Sequence, residues 1–260
     1  MARDYDVIHY HGHQPILANY IPRSVNFVQT RHDQGSDCLI YTRFRNGEVC
    51  RATDPRACAA CATPRPNLLQ GALSAWSVRL WRRAVTNAFR RHKVIFVSQC
   101  LRTNAERTLG ALPGATARIS HNFVDAQYLR RGMPASKTNG EQPDVFIAAR
   151  IDAAKGVDAF INAFGASQPL RRHVTIAGDG PLLDMLRASK SVPSIYFMGW
   201  QPYHTTVNMA ANAATIIVPS VCEESCATTV LEGLVLGRPV LALKRGGTPE
   251  LKVYERYPNQ

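Results

Sequence analysis

Two glutamates eight residues apart, Glu224 and Glu232, are the side chains in this sequence whose type and spacing most plainly point to chemistry. Residues 216–218 form a short apolar run that stops at Pro219-Ser220, the pattern of a buried strand. An acidic turn follows, Cys222-Glu223-Glu224-Ser225. Residues 227–236 then carry Val230, Leu231, Leu234 and Val235 at helical spacing, with Gly237 as a stop signal. Residues 240–243 read as a second strand, so the stretch is strand–loop–helix–strand, the unit of a parallel sheet. That puts Glu224 on the loop at a strand's carboxyl end and Glu232 inside the next helix. Ligands of open α/β sheets bind along that edge. The helix start at Thr228-Thr229 offers backbone N–H groups to an anion. Two carboxylates to read hydroxyls and a helix end to hold phosphate would suit a nucleotide sugar. The plainer alternative makes Glu224 a helix cap and Glu232 a solvated helix residue.

Other strand ends carry polar residues of the same kind. Residues 145–149 (VFIAA) read as a strand followed by Arg150 and Lys155 in ARIDAAKGVDAF. Residues 174–178 form a strand that turns through Asp179-Gly180-Pro181, and residues 195–199 form another that ends at Met198-Gly199. Near the N-terminus, residues 5–10 (YDVIHY) read as a strand with His11-Gly12-His13 beyond it, and residues 25–29 as the next, ending at Thr30-Arg31-His32-Asp33. His11, which lies past the strand, is the better candidate for a ligand contact, with His9 packing or orienting it. A lone surface histidine and an Asp-capped turn are the alternatives for His11 and Asp33.

With these residues in view, residues 216–249 resemble the signature of family 4 retaining glycosyltransferases of the GT-B fold: a Glu, seven residues and a second Glu, preceded by Pro-Ser. Ala149-Arg150-Ile151 and Lys155-Gly156 resemble that family's Gly-Arg-Leu and Lys-Gly. Gly178-Asp179-Gly180-Pro181 matches its Gly-Asp-Gly-Pro, and Gly246-Gly247-Thr248-Pro249-Glu250 its Gly-Gly-x-x-Glu. Asp6, His9 and His11 match the end of a strand in its N-terminal domain, and Asn122-Phe123-Val124-Asp125 its Asn-Gly-Val-Asp turn. Ser225-Cys226-Ala227 stands where the family has Gly-Phe-Gly, Gly233 where it has Ala, and Phe123 where it has Gly.

The resemblance implies an α/β, GT-B-like fold of two Rossmann-like parallel-sheet domains facing a cleft, with the N-terminal domain incomplete and the chain ending early. It implies transfer of a sugar, with retention, from a nucleotide-diphosphate donor to a hydroxyl on a glycan, a lipid-linked acceptor or a small molecule. Arg150 and Lys155 would grip the diphosphate, Glu224 the donor sugar and Glu232 the ribose. Gly199 and Met198 would lie near the base, His11 would reach the transferred sugar, and His32 and Asp33 would stand on the acceptor side. Two fixed cations can meet the charge that grows on a leaving diphosphate, so no catalytic metal is required. A remnant that binds nucleotide or a partner without transfer is the alternative.

The 260 residues are 45% hydrophobic, enough for a core, and carry seven cysteines and a net charge of +12. Residues 1–142 hold 20 Lys+Arg against 9 Asp+Glu, whereas residues 143–260 hold 11 against 10. The first part is therefore suited to an anionic surface or acceptor. A zinc-knuckle nucleic-acid module is disfavoured because no aromatic-rich strand motif accompanies the charge. The N-terminus is not a signal peptide and no apolar run is a membrane span, which predicts a cytoplasmic protein.

Composition divides the chain into an N-terminal domain over 1–129, a polar linker over 130–143 and a C-terminal domain over 144–260. Residues 38–61 form a loop-like insertion with Cys38, Cys50, Cys58 and Cys61. These could hold a structural zinc, remain thiols, or include a redox pair at 58/61. Residues 68–92 read as a long helix with Leu69, Leu73, Trp76, Leu80, Ala84 and Ala88 in one stripe and Arg79, Arg82, Arg83, Arg90 and Arg91 as a basic face. Such a helix either lies peripherally on an anionic membrane or packs in a core with its arginines solvated.

Overall fold

The computed structural model describes residues 5–62, 68–131, 144–166, 173–189 and 194–255. The chain divides into two compact units, residues 1–45 with 49–122, and residues 46–48 with 123–260.

The first unit is built on a four-stranded parallel sheet. Strands β1 (Ile8–Tyr10) and β2 (Phe27–Arg31) are followed by a small hairpin of β3 (Phe44–Arg45) and β4 (Glu48–Val49), then by helices α1 (Pro55–Ala62) and α2 (Leu68–Arg91). Strand β5 (Lys93–Phe96), helix α3 (Gln99–Leu109) and strand β6 (Ala117–Ile119) complete it, and the sheet order is β1-β2-β5-β6. Helix α3 starts at Ser98, because the Ser98 hydroxyl accepts from the Leu101 amide and satisfies one of the helix's orphan donors. Phe89 of α2 meets Phe96 of β5 edge-on at 5.7 Å, seating the helix on the sheet.

The 38–61 insertion has more order than its composition suggests. Asn46 and Gly47 both have positive φ, the demand of a two-residue hairpin turn, which they meet at little cost. Two buried guanidiniums hold the rest. Arg43 donates to Asp37 Oδ2 from Nε (2.6 Å) and Nη2, to the Cys50 carbonyl, and to the Asn104 carbonyl and Thr108 hydroxyl of α3. Arg82 of α2 reaches the Thr53 carbonyl and Cys58 Sγ.

Helix α2 spans the predicted residues but is turned differently from its leucine stripe. Its buried face carries Ala75, Val78, Val85, Ala88 and Phe89, with Arg82. Leu69 is 70% exposed, Leu73 55%, Trp76 57% and Leu80 40%. The core-helix alternative is therefore corrected for the large members of the stripe: Leu69, Leu73, Trp76 and Leu80 face outward, and of the stripe Ala88 joins Ala75, Val78, Val85 and Phe89 in the core.

The second unit opens with α4 (Ala126–Arg131), whose Leu129 is buried in this unit's core. The composition boundary at 129/130 thus falls inside an element, and residues 132–143 of the predicted linker lie outside the described residues. Strands and helices then alternate: β7 (Val145–Ala148), α5 (Val157–Ala166), β8 (Val174–Ala177), α6 (Leu183–Ala188), β9 (Ile195–Gly199), α7 (Tyr203–Asn212), β10 (Thr215–Val218), α8 (Thr228–Val235) and β11 (Val240–Ala242). The sheet is parallel throughout, in the order β11-β10-β7-β8-β9. Both faces of β7 are covered. Phe146 lies with Leu129, Val207 and Ile216 on one side, and Val145 and Ile147 lie with Ile161, Val174 and Leu186 on the other. A parallel strand buried on both faces explains the unbroken apolar run that marked it in the sequence.

Candidate active site

In the second unit the chain runs outward from β7 through β8 to β9, then returns to the other side of β7 for β10 and β11. The carboxyl ends of β7 and β10 are therefore a topological switch point, where crossovers leave in opposite directions and open a crevice. The predicted donor residues Lys155 and Glu224 meet there. Lys155 Nζ donates to Glu224 Oε1 at 2.6 Å, and the Ser220 hydroxyl donates to the same oxygen. Burial alone would lower the Lys155 pKa, but the Glu224 carboxylate, with Cys222 and Asp152, outweighs it and raises it.

Backbone geometry keeps this pair in place. Asp152 accepts from the Ala154 and Lys155 amides and caps the short 3-10 turn that presents Lys155. The Val221 and Cys222 amides donate to the Ala154 carbonyl, joining the loop after β7 to the loop after β10. Glycines press on that second loop from both sides. A Cβ on Gly156 would stand 2.3 Å from the Pro219 carbonyl oxygen, and one on Gly246 would stand 2.5 Å from the Glu224 nitrogen. Both have left-handed φ, so side chains are disfavoured twice over. The Gly247 amide also donates to the Glu224 carbonyl at 2.6 Å. Gly178 and Gly180 serve close approach as well: their Cβ atoms would collide with the Ala149 and Ile151 carbonyls.

Arg150 projects from the end of β7, 70% exposed, with Asp152 Oδ2 3.2 Å from its Nε. Thr228 and Thr229 open α8, whose N-cap, Ala227, makes no side-chain cap. Glu232 lies on the same helix, and Tyr203, at the start of α7, donates its hydroxyl to Glu232 Oε1 at 3.0 Å. Burial raises the Glu232 pKa against the pull of that hydrogen bond. Burial, with Glu232 beside it, raises the Tyr203 phenol to about 12. Tyr128 of α4 stacks on Tyr203, with centroids 5.7 Å apart. Gly199 ends β9 in a left-handed turn, and the exposed Trp200 follows it. Tyr128, Tyr203 and Trp200 were not singled out in the sequence. An exposed aromatic following a strand's last glycine was the available signal for Trp200. Tyr128 and Tyr203 come together only through the fold.

The first unit gathers the predicted histidines at the ends of β1 and β2. His9 Nε2 lies 2.7 Å from Thr30 Oγ1. The pKa of His9 is lowered by burial and then by His11 and His32, and that of His32 by burial and then by His11. His32 Nδ1 donates to Asn122 Oδ1 at 3.2 Å, which leaves Nε2 of the neutral ring as an acceptor. His11 Nδ1 then donates to it at 2.9 Å. His13 pairs with Asp33 at 2.9 Å. Arg31, buried and unremarkable in the sequence, donates to Ser36 and to the Gly12 and His13 carbonyls, tying the β1 loop to the end of β2.

Cys38, Cys50, Cys58 and Cys61 line one cavity of about 30 Å³. No three His, Cys, Asp or Glu side chains among the described residues stand together as a metal-holding group. Of the three alternatives for these cysteines, the structural zinc thus finds no metal-holding group among the described residues, and all four are free thiols. The Arg43 and Arg82 hydrogen bonds supply the order that a metal was invoked to provide. No described helix is long and apolar enough to cross a membrane.

Residues 142–255 match the family model described as Glycosyl transferases group 1. No curated protein matches the sequence. Among solved structures the chain is similar to HepE of Anabaena in complex with UDP, at 18% identity and TM-score 0.62, covering 96% of this chain and 63% of that one. It is similar to a glycosyltransferase from Rickettsia africae, at 14% identity and TM-score 0.63, covering 95% and 60%. It is also similar to sucrose-phosphate synthase from Thermosynechococcus elongatus, at 14% identity and TM-score 0.58, covering 94% and 57%. The chain thus spans about three-fifths of the length of these structures. It has the parallel α/β fold of GT-B glycosyltransferases, and its second unit matches the group 1 glycosyl transferase model.

Proposed function

We propose that the chain transfers a sugar from a nucleoside-diphosphate sugar to a hydroxyl acceptor, with retention at the anomeric carbon. The observation that carries this reading is the meeting of Lys155 and Glu224 at the β7/β10 switch point, inside the stretch that matches the group 1 model. HepE, one of the similar structures, was solved with UDP, with UDP-glucose, and with UDP and glucose.

In the reaction the bond from the anomeric carbon to the diphosphate oxygen breaks and a bond to the acceptor oxygen forms. The hydroxyl proton leaves with the diphosphate, the nearest base on the face from which retention requires attack. Arg150 and Lys155 meet the charge that develops on the leaving group. Glu224 accepts from donor-sugar hydroxyls and Glu232 from the ribose. The N-terminus of α8 at Thr228 and Thr229 faces phosphate, and Gly199 with Trp200 borders the base. His11 accepts a hydroxyl through Nε2. The acceptor is a glycan, a lipid-linked sugar or a small molecule.

Proton NMR of the product formed from each nucleotide sugar with a panel of hydroxyl acceptors tests the reading. The expected product keeps the donor's anomeric configuration. An inverted product would contradict retention. Nucleotide binding with no transfer or donor hydrolysis would leave only the binding reading.

A further inference from the structure

Helix α2 has an apolar stripe on the side away from its own core. Leu69, Leu73, Trp76 and Leu80 recur at i, i+4, i+7 and i+11, which confines them to an arc of about 60° and a length of about 17 Å. All four are exposed, while Val78 and Phe89 on the opposite side are buried. A contiguous row of large apolar side chains in water marks a surface that something covers.

The charge around the row limits the occupant. Residues 68–91 contain no Asp or Glu, and Arg79, Arg83 and Arg90 are exposed along one flank of the row. A second copy of the chain would bring the same arginines against their own image in a two-fold contact, with no acid in the helix to neutralise them. A nucleic acid would use the arginines but leave the leucines and Trp76 without apolar partners. A bilayer with anionic headgroups uses both sets: acyl chains take the leucines, phosphates take the arginines, and an indole is favoured at the boundary.

We propose that α2 is an interfacial anchor that lays the Leu69–Leu73–Trp76–Leu80 row into the surface of an anionic membrane. This surface belongs wholly to the first unit and does not depend on the sugar-transfer reading.

The test is flotation of the full chain with vesicles of phosphatidylcholine alone or of phosphatidylcholine and phosphatidylglycerol in equal parts. The wild type is expected to float with the mixed vesicles and not with the neutral ones. Leu73→Ser/Trp76→Ser and Arg79→Gln/Arg83→Gln are each expected to lower partitioning by about tenfold or more. All these side chains are on the surface, and thermal melts check that the variants fold. In a Trp81→Phe/Trp200→Phe background, Trp76 emission is expected to shift to the blue on mixed vesicles. Equal partitioning onto both vesicle types, no partitioning, or partitioning unaffected by the variants would overturn the proposal. So would a dimer in sedimentation, or a shift with RNA or DNA, that the same variants abolish while vesicle binding is absent.

Discussion

Replacing Arg150 by Ala is expected to lower release of nucleoside diphosphate from the donor by about 10²–10³-fold, the effect of removing one preorganised group that meets transition-state charge. The thermal midpoint is expected not to move. Arg150 is 70% exposed, and its recorded ionic partner is Asp152, which keeps its bonds to the Ala154 and Lys155 amides. Lys155→Ala separates the two roles. It should cost a similar factor in turnover and also lower the midpoint, because Glu224, 14% exposed, loses its cation and keeps only the Ser220 hydroxyl at that oxygen. Steady-state turnover and melting of both variants check this. Wild-type turnover in Arg150→Ala would remove the role given to that residue, and an unmoved midpoint in Lys155→Ala would deny the ion pair its structural part.

The largest effect on stability is expected at Asp37. Its carboxylate is buried against the buried Arg43, which also holds the Cys50 carbonyl and α3. Asp37→Ala strands the guanidinium in the interior and should cost about 3–5 kcal/mol, the usual penalty for removing one partner of a buried pair. Replacing both residues, as Asp37→Leu/Arg43→Met, should recover most of that loss. Burial raises the Asp37 pKa, and the Arg43 charge and hydrogen bond only partly oppose it. A carboxyl whose folded pKa lies above its unfolded value contributes stability below the unfolded value and loses it as pH rises through the folded one. Because neither variant carries Asp37, the gap between them should not follow this titration, whereas the double variant should compare better with the wild type at neutral pH than near pH 3. Urea melts at the two pH values measure it. A single variant as stable as the wild type would show that the pair does not hold the insertion.

Much of the second unit was legible in the sequence because its strands are buried on both faces and its turns carry glycine. The runs at 145–149, 174–178 and 195–199 appear as strands within a residue of their predicted ends. The pairing of Lys155 with Glu224 was not legible. It depends on β10 returning beside β7, and strand order is a long-range property that neither segment encodes alone. The relay from Asn122 through His32 to His11 likewise joins residues from three parts of the chain. Helix α2 misled for a different reason. Periodicity reports that a stripe exists, and α2 has two: the leucines and Trp76 on one side, and Ala75, Val78, Val85, Ala88 and Phe89 on the other. The side that faces the core is decided by how closely the neighbouring elements can approach. The order of the 38–61 insertion was not legible, since it lies in Arg43 and Arg82, and an arginine gives no sign in sequence that it will be buried.

A thermal-shift comparison of UDP, GDP, ADP and their sugars on the full chain, with Glu232→Ala beside the wild type, tests whether the donor site is formed. Ligand that binds only the folded state raises the midpoint by mass action. One nucleotide class is expected to raise it, with the shift lost in Glu232→Ala, because that carboxylate would hold the ribose. A cooperative melt that none of the nucleotides moves, or a shift that Glu232→Ala leaves intact, would contradict a donor site at the β7/β10 edge.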